Sequence, residues 1–546
     1  MSLLVDLFGY LTIVVHGLAI VAQSMAAGGV LFLLVLARPY VGVLPCGADV
    51  VRRTARVAGW AALGLFACEA ANLFMDASVL VSTVGIGVGD ALSAPSAVAG
   101  LVKAGLSLLL AALLLGRWRA PGAVLAPVAL GILVAAVFTT HAAARLEDST
   151  LLMGVEFLHI LGAAIWVGGI PFFVLALARL TDGAALRLVG PGFSRVSMAG
   201  VACILLSGIT MSLFYVGSWD AVYGTAYGVM VSAKVAMFGL LLLLGLGNLL
   251  VTERMRRDPA TSTLRLRRFA EVEIGIGFSI FFAAASLTSV PPAVDLQQDR
   301  VTWAEVVERN TPEWPRFRSP DHDALTLPAL QAQLDREAQG AKPQPAFVPG
   351  SGEIPARNAA DIAWSEYNHH WAGLFVLLIA ALALLNRAGV RWARHWPLAF
   401  LLLAVFLFLR SDPEVWPLGE QDFMASFRDV EVLQHRVFVV LIVVFAFFEW
   451  GVRTGRIRRP GAALVFPLAT ALGGALLLTH SHAIANVKDQ LLIELTHTPL
   501  ALAGIAAGWA RWLELRLKGR GAVVAGYAWP VCFAVVGVVL LWYREA

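Results

Sequence analysis

Residues Leu7–Ala37 read LFGYLTIVVHGLAIVAQSMAAGGVLFLLVLA, 31 residues without a formally charged side chain. A helix rises about 1.5 Å per residue and the hydrocarbon layer of a bilayer is about 30 Å thick, so about 20 such residues cross it. A cleavable secretory leader has a basic start and a much shorter apolar core, and this stretch has neither. It is read as a membrane span. Working outward, similar stretches follow near 56–75, 92–116, 121–141, 150–178, 192–216, 226–250 and 270–291, and again near 367–386, 396–410, 431–451, 461–479, 490–512 and 522–542. The composition agrees: 59% of the 546 residues are hydrophobic, 14% are charged and the mean hydropathy is +0.76. A soluble domain carries about 25% charged residues. A soluble enzyme, a disordered chain and a disulfide scaffold are therefore excluded.

The expected fold is an all-α polytopic integral membrane protein with about 14 transmembrane helices, eight and then six. Three parts are expected: an eight-helix domain over 1–291, a Pro-rich hydrophilic connector over 292–365 with no evident core, and a six-helix His-rich domain over 366–546. Arginine sets the orientation. With the N-terminus outside, the inner loops collect Arg52, Arg53 and Arg56, then Arg254, Arg256, Arg257, Arg265, Arg267 and Arg268, then Arg453, Arg456, Arg458 and Arg459. The short outer segments hold few basic residues. Basic loops stay on the cytoplasmic side, so both termini and the connector are expected outside. The net charge of +4 is thus a topology signal, and nothing calls for nucleic acid. Cys46, Cys68, Cys203 and Cys532 form no C-x-x-C pair, which leaves a cysteine metal knuckle or a covalent c-type haem unsupported.

The eleven histidines are unevenly placed. His322 lies in the connector and His395 at an inner boundary. The others, His16, His141, His159, His369, His370, His435, His480, His482 and His497, fall at or near outer helix ends. Polar groups at membrane depth are costly and face a bundle interior or a cavity. Carboxylates accompany them at helical spacing: Glu156 with His159, Glu494 with His497, Glu366 with His370 and Glu431 with His435. A carboxylate so placed can orient an imidazole toward a metal or ligate it. An ion-paired outer vestibule would need the same residues. Glu69, Lys103 and Lys234 lie within spans and need partners, and Glu69 with Lys103 is the pair that suggests itself. Met75, Met153 and Met211 near outer ends read as packing, and the inner half offers few soft groups beyond Met25, Met198, Cys203 and Met237.

Residues 140–159, THAAARLEDSTLLMGVEFLH, and 478–497, LTHSHAIANVKDQLLIELTH, share Thr-His, an acidic residue, Leu-Leu and Glu-x-x-His. They read as two parallel copies of a helical unit, each with an outer histidine site.

One set of residues goes further: His159 followed by Trp166-Val167-Gly168-Gly169, Trp219 with Thr225-x-Tyr227-Gly228, Lys234, Asn248, and His141 on the preceding helix. Over about residues 1–295 the chain resembles the copper-resistance D (CopD-type) family of bacterial inner-membrane proteins. The resemblance implies a multi-pass inner-membrane protein that handles periplasmic copper, beside a periplasmic copper-binding protein or a cuproenzyme. The last six spans are not matched to a family. No C-P-C motif or P-loop marks an ATP-driven pump.

The leading expectation is a copper-handling membrane protein and not an enzyme. His141, His159 and His16 with Glu156 would form an outer metal site in the first half. His369, His370, His435, His480, His482 and His497 with Glu494 would supply one or two in the second. Imidazoles suit haem iron as well. The alternative is therefore a haem b electron-transfer protein between a quinol and a periplasmic acceptor, with Arg436 holding a propionate. A third is a metal-free structural or proton-handling subunit in the lipid bilayer.

Overall fold

The computed structural model describes residues 2–44, 46–116, 120–180, 183–258, 261–297, 300–325, 358–419, 422–424, 427, 430–479 and 487–545. It is 80% helical, with no strand among the described residues. The chain divides into two compact units. One holds Tyr10–Val222 and Met230–Gln297; the other holds Met1–Gly9, Tyr223–Val229 and Gln298–Ala546.

Eleven helices are long and apolar enough to cross a membrane, among the described residues. Three of the fourteen segments read from sequence fall outside that number. Gly122–Val137 and Ala462–Leu477 are apolar but short. Val487–Arg516 is a 30-residue helix. The protein is an all-α multi-pass membrane protein that sits in the lipid bilayer.

The first unit is built on α1 (Ser2–Phe32), α2 (Gly47–Val84), α3 (Val88–Ser93), α4 (Pro95–Leu115), α5 (Gly122–Val137), α6 (His141–Ala144), α7 (Ser149–Ile165), α8 (Ile170–Arg179), α9 (Gly183–Tyr215), α10 (Trp219–Gly224), α11 (Ala226–Arg257) and α12 (Leu264–Leu287). Gly85, at φ 72°, ends α2 in the left-handed conformation, and Pro95 opens α4 at a position where its missing N–H costs nothing. α2 runs along α4, and α7 along α9.

Small residues set the closest approaches, as expected where lipid supplies no hydrophobic drive between helices. The Trp166–Gly169 turn separates α7 from α8. There a Cβ on Gly168 would lie 2.0 Å from the Ser24 carbonyl oxygen of α1, and one on Gly28 would lie 2.3 Å from the Ala164 carbonyl. The Gly-Gly of the sequence motif is thus a backbone-to-backbone contact. A Cβ on Gly162 would meet the Gly200 carbonyl at 2.8 Å and the Cys203 Cβ at 2.9 Å, which draws α7 against α9. Exposed Leu206, Ile209 and Leu213 on α9 recur at helical spacing as a lipid-facing stripe.

The second unit contains α13 (Trp303–Asn310), α14 (Ala359–Arg387), α15 (Phe400–Arg410), α16 (Val430–Arg453), α17 (Val465–Leu477), α18 (Val487–Arg516) and α19 (Arg520–Leu541). Two capping boxes start helices here. Thr302 and Glu305 cap α13, while Asn358 accepts from the Ala360 and Asp361 N–H groups at 2.8 Å to cap α14. The core is aromatic, with Trp396, Phe466 and Trp529 mutually packed at 5.4–5.5 Å. Beside it lies a buried charged layer. Glu514 accepts from Arg387 at 3.1 Å, from Trp529 Nε1 at 2.8 Å and from Arg511, while Glu449 pairs with Arg453 at 2.6 Å.

The described part of the hydrophilic segment is not coreless. Val301 and Val306 are buried with Val229 and Leu491, and the Val301 N–H donates to the Gly224 carbonyl at 3.1 Å. That pairing explains why Tyr223–Val229 belongs to the second unit.

Candidate functional site

In the first unit His159 projects from α7 toward α9. Its Nδ1 lies 3.0 Å from Ser207 Oγ, and Ser207 donates to the Cys203 carbonyl at 2.6 Å. A hydroxyl has one proton, and here it is committed to the backbone. Ser207 therefore accepts from His159 Nδ1–H. This assigns the Nδ1–H tautomer and leaves the Nε2 lone pair with no hydrogen-bond partner among the described residues. Glu156, one turn earlier on α7, and Lys234 of α11 interact electrostatically with each other, and Lys234 also acts on His159. Tyr215, at the end of α9, is within reach of Glu156, and Arg145 lies over its ring at 5.6 Å.

The other two first-half histidines stand elsewhere. His16 lies within electrostatic range of Lys103. Lys103 pairs with Glu69 at 2.9 Å, with side chains 4% and 6% exposed, so the pair expected from sequence is formed. Asn72 and Asp76 continue the face of α2 that carries Glu69, and Asp76 interacts with Glu69. His141 opens the short α6, its buried Nε2 without a partner among the described residues. The structure thus joins Glu156, His159 and Lys234, and separately His16, Lys103 and Glu69. Among the described residues no hydrogen bond links His141 to either group.

The second unit gathers histidines around a residue the sequence reading passed over. The Tyr543 ring stacks on His369 at 3.8 Å and meets His497 edge-on at 6.4 Å. His369 donates Nδ1–H to the Ser365 carbonyl at 2.8 Å. Tyr543 donates its hydroxyl to Glu545 at 2.8 Å, and Ser365 donates to the same carboxylate. His370 has backbone partners on both nitrogens. Nδ1 accepts the Arg316 N–H at 2.7 Å, and Nε2 donates to the Tyr543 carbonyl at 2.8 Å. Glu366 takes Arg316 Nε at 2.5 Å. Arg309 of α13 is buried over the Tyr543 ring at 5.9 Å, and burial pushes its pKa down from the ordinary arginine value.

The remaining candidates are placed singly. His435 Nδ1 is 2.5 Å from Asp412 Oδ1, a partner the sequence reading did not name. Arg436, expected as a propionate holder, is buried and donates to the Phe408 and Trp416 carbonyls at 2.7 and 3.4 Å. Glu494 is buried and accepts from Thr498 at 3.3 Å. His480 and His482 lie outside the described residues, as does the side chain of Glu431. Among the described residues no three His, Cys, Asp or Glu side chains gather closely enough to hold a metal ion.

Ser207, Asp412, Tyr543 and Glu545 were missed because each acts across helices. The only signal was local: a serine on α9, a Ser-Asp-Pro turn, and a Tyr-Arg-Glu run directly after the last span.

The helical bundle with its Trp-Val-Gly-Gly turn is that of a multi-pass membrane protein, and one part of it matches a known family. Residues 187–287, which hold Ser207, Lys234 and Asn248, match the family model described as copper resistance protein D. The chain carries a CopD-type domain over those residues, within a multi-pass membrane protein. It is 35% identical over 179 residues to copper transport protein CutJ of Bacillus subtilis (strain 168), 32% of this chain and 31% of the relative. It is 29% identical over 152 residues to copper resistance protein D of Pseudomonas syringae pv. tomato, 26% of this chain and 49% of the relative. The matches thus span less than half of either relative. No solved structure matches the chain. These likenesses mark it as a copper-related membrane protein.

Proposed function

We propose that the protein binds copper at His159 in its first helical unit and imports it or delivers it to an acceptor. The observation that carries the reading is the state of the His159 ring. Its Nδ1–H is held by Ser207, while Nε2 keeps a lone pair with no partner among the described residues. A neutral imidazole oriented through its second nitrogen is how proteins prepare a histidine ligand. Glu156 and Lys234 interact electrostatically with each other, and Lys234 acts on His159. The likeness to copper resistance and transport proteins supplies the metal's identity. His369 and His497 around Tyr543 are the proposed second locus, with His16, His141, His435, His480, His482 and Glu494 as further candidates; His370 joins them only by giving up the Arg316 N–H that its Nδ1 accepts. A periplasmic copper-binding protein or a cuproenzyme is the proposed partner.

Metal analysis and an absorption spectrum of the purified protein test this. Bound copper, lost in His159→Ala, is the expected result. A strong Soret band without copper would favour the haem reading, and His159→Ala with unchanged copper would reject the site.

A further inference from the structure

A cavity of about 250 Å³ lies in the first unit among α7, α8, α9, α11 and α12, at the arginine-rich end of α11 and α12. The copper reading makes no use of it. Its walls are mostly apolar and include the rings of Trp166, Phe173 and Phe193. Its rim includes Met198 and Leu246, each 52% exposed on helix faces that lie in the bilayer. The mouth is therefore apolar, and its occupant arrives from the lipid.

Inside is a polar cluster that the protein leaves incomplete. Glu273 is 4% exposed and accepts from Asn248 Nδ2 at 2.6 Å. Asn248 Oδ1 and Ser197 Oγ are buried and have no hydrogen-bond partner among the described residues. Buried polar groups are seldom left unpaired, and such orphans mark an absent partner. No Lys, Arg or His lines the cavity among the described residues, so nothing there neutralises a phosphate. An acyl chain would leave Asn248 Oδ1 and Ser197 Oγ unpaired. The occupant is therefore lipid-soluble, uncharged, ring-shaped and a hydrogen-bond donor.

We propose that this cavity binds the ring of a membrane quinol, whose hydroxyl donates to Asn248 Oδ1 and accepts from Ser197 Oγ–H while Trp166 and Phe193 flank the ring. The isoprenoid tail leaves past Met198 and Leu246. The site is independent of copper and is tested on metal-free protein.

The full chain is reconstituted in phosphatidylcholine nanodiscs with a short-chain quinol carrying a diazirine on its tail, and cross-links are mapped by mass spectrometry. Labelling should concentrate on residues 193–201 and 242–252 and be displaced by unlabelled quinol. Gly245→Val is the blocking variant. A Cβ there meets only Trp166 Cζ2, at 3.8 Å, so the new side chain enters the cavity without striking backbone. Gly245→Val and Asn248→Leu should each lower labelling about tenfold or more, the loss of a buried hydrogen bond or of the space itself. A retained thermal transition shows that each variant is folded, and Gly245→Val stands if Asn248→Leu is not. Labelling spread over the lipid-facing helices, labelling unchanged in the folded variants, or displacement by phosphatidylethanolamine as effective as by quinol would each overturn the proposal.

Discussion

Replacing Ser207 by alanine separates the orientation of His159 from its presence. Ser207 is 1% exposed, and its Oγ takes the imidazole proton at 3.0 Å. Alanine keeps the helix and the packing, since the hydroxyl otherwise only bonds back to its own α9 carbonyl at 2.6 Å. The cost in fold stability should be that of one hydrogen bond, about 0.5–1.5 kcal/mol. The cost in metal affinity should be larger. Without Ser207 the ring loses its tautomer and its direction, and removing a partner of this kind weakens metal binding about 10- to 100-fold. That corresponds to about 1.4–2.7 kcal/mol. An anaerobic titration of nanodisc-embedded protein against a chromogenic Cu(I) chelator measures the difference directly. His159→Ala in the same titration should lose the high-affinity step altogether. If Ser207→Ala binds as tightly as the parent while His159→Ala does not, the orienting role assigned to the serine is wrong.

Two further predictions concern the first unit. Glu69→Gln leaves Lys103 buried without its counter-charge and should destabilise the protein by about 3–5 kcal/mol, whereas Glu69→Gln with Lys103→Met should recover most of that. Thermal denaturation in detergent reads both, and equal melting of single and double variants would show that the pair carries no such energy. Gly168→Ala should cost about 1–3 kcal/mol or more, because its Cβ would sit 2.0 Å from the Ser24 carbonyl and backbone cannot swing aside. Gly239→Ala, with nothing within 4 Å of the added carbon, is the matched control, and similar melting of the two would refute the close contact.

The membrane character and most of the spans were legible in the sequence because apolar length is a local property. The Glu69–Lys103 pair was legible too, since two opposite charges inside spans leave few alternatives. Two apolar segments form helices shorter than the runs read from sequence, since run length alone does not show where Val137 ends one helix and Leu477 another. The helical spacing of Glu156 and His159 puts both on one face of α7, and the structure adds Lys234 of α11, which the spacing did not name. In the second copy Glu494 takes Thr498 of its own helix. Spacing fixes a shared face but not the partner on the neighbouring helix. The Glu514–Arg387–Arg511 layer was not legible, because Arg387 reaches the Arg511–Glu514 pair of α18 from a different helix, α14.

Hydropathy and basic loops suffice from the amino-acid order alone to establish a helical multi-pass membrane protein, and the Trp-Val-Gly-Gly turn with Lys234 and Asn248 carries its resemblance to the CopD-type family. Those signals arise from each residue's own transfer energy and from short-range helix geometry. Which histidine nitrogen is left open, which ring Tyr543 covers and which polar atoms line an unfilled cavity are decided only when distant helices pack. They depend on atoms far apart in the chain lying within hydrogen-bond reach, and no local pattern encodes that distance.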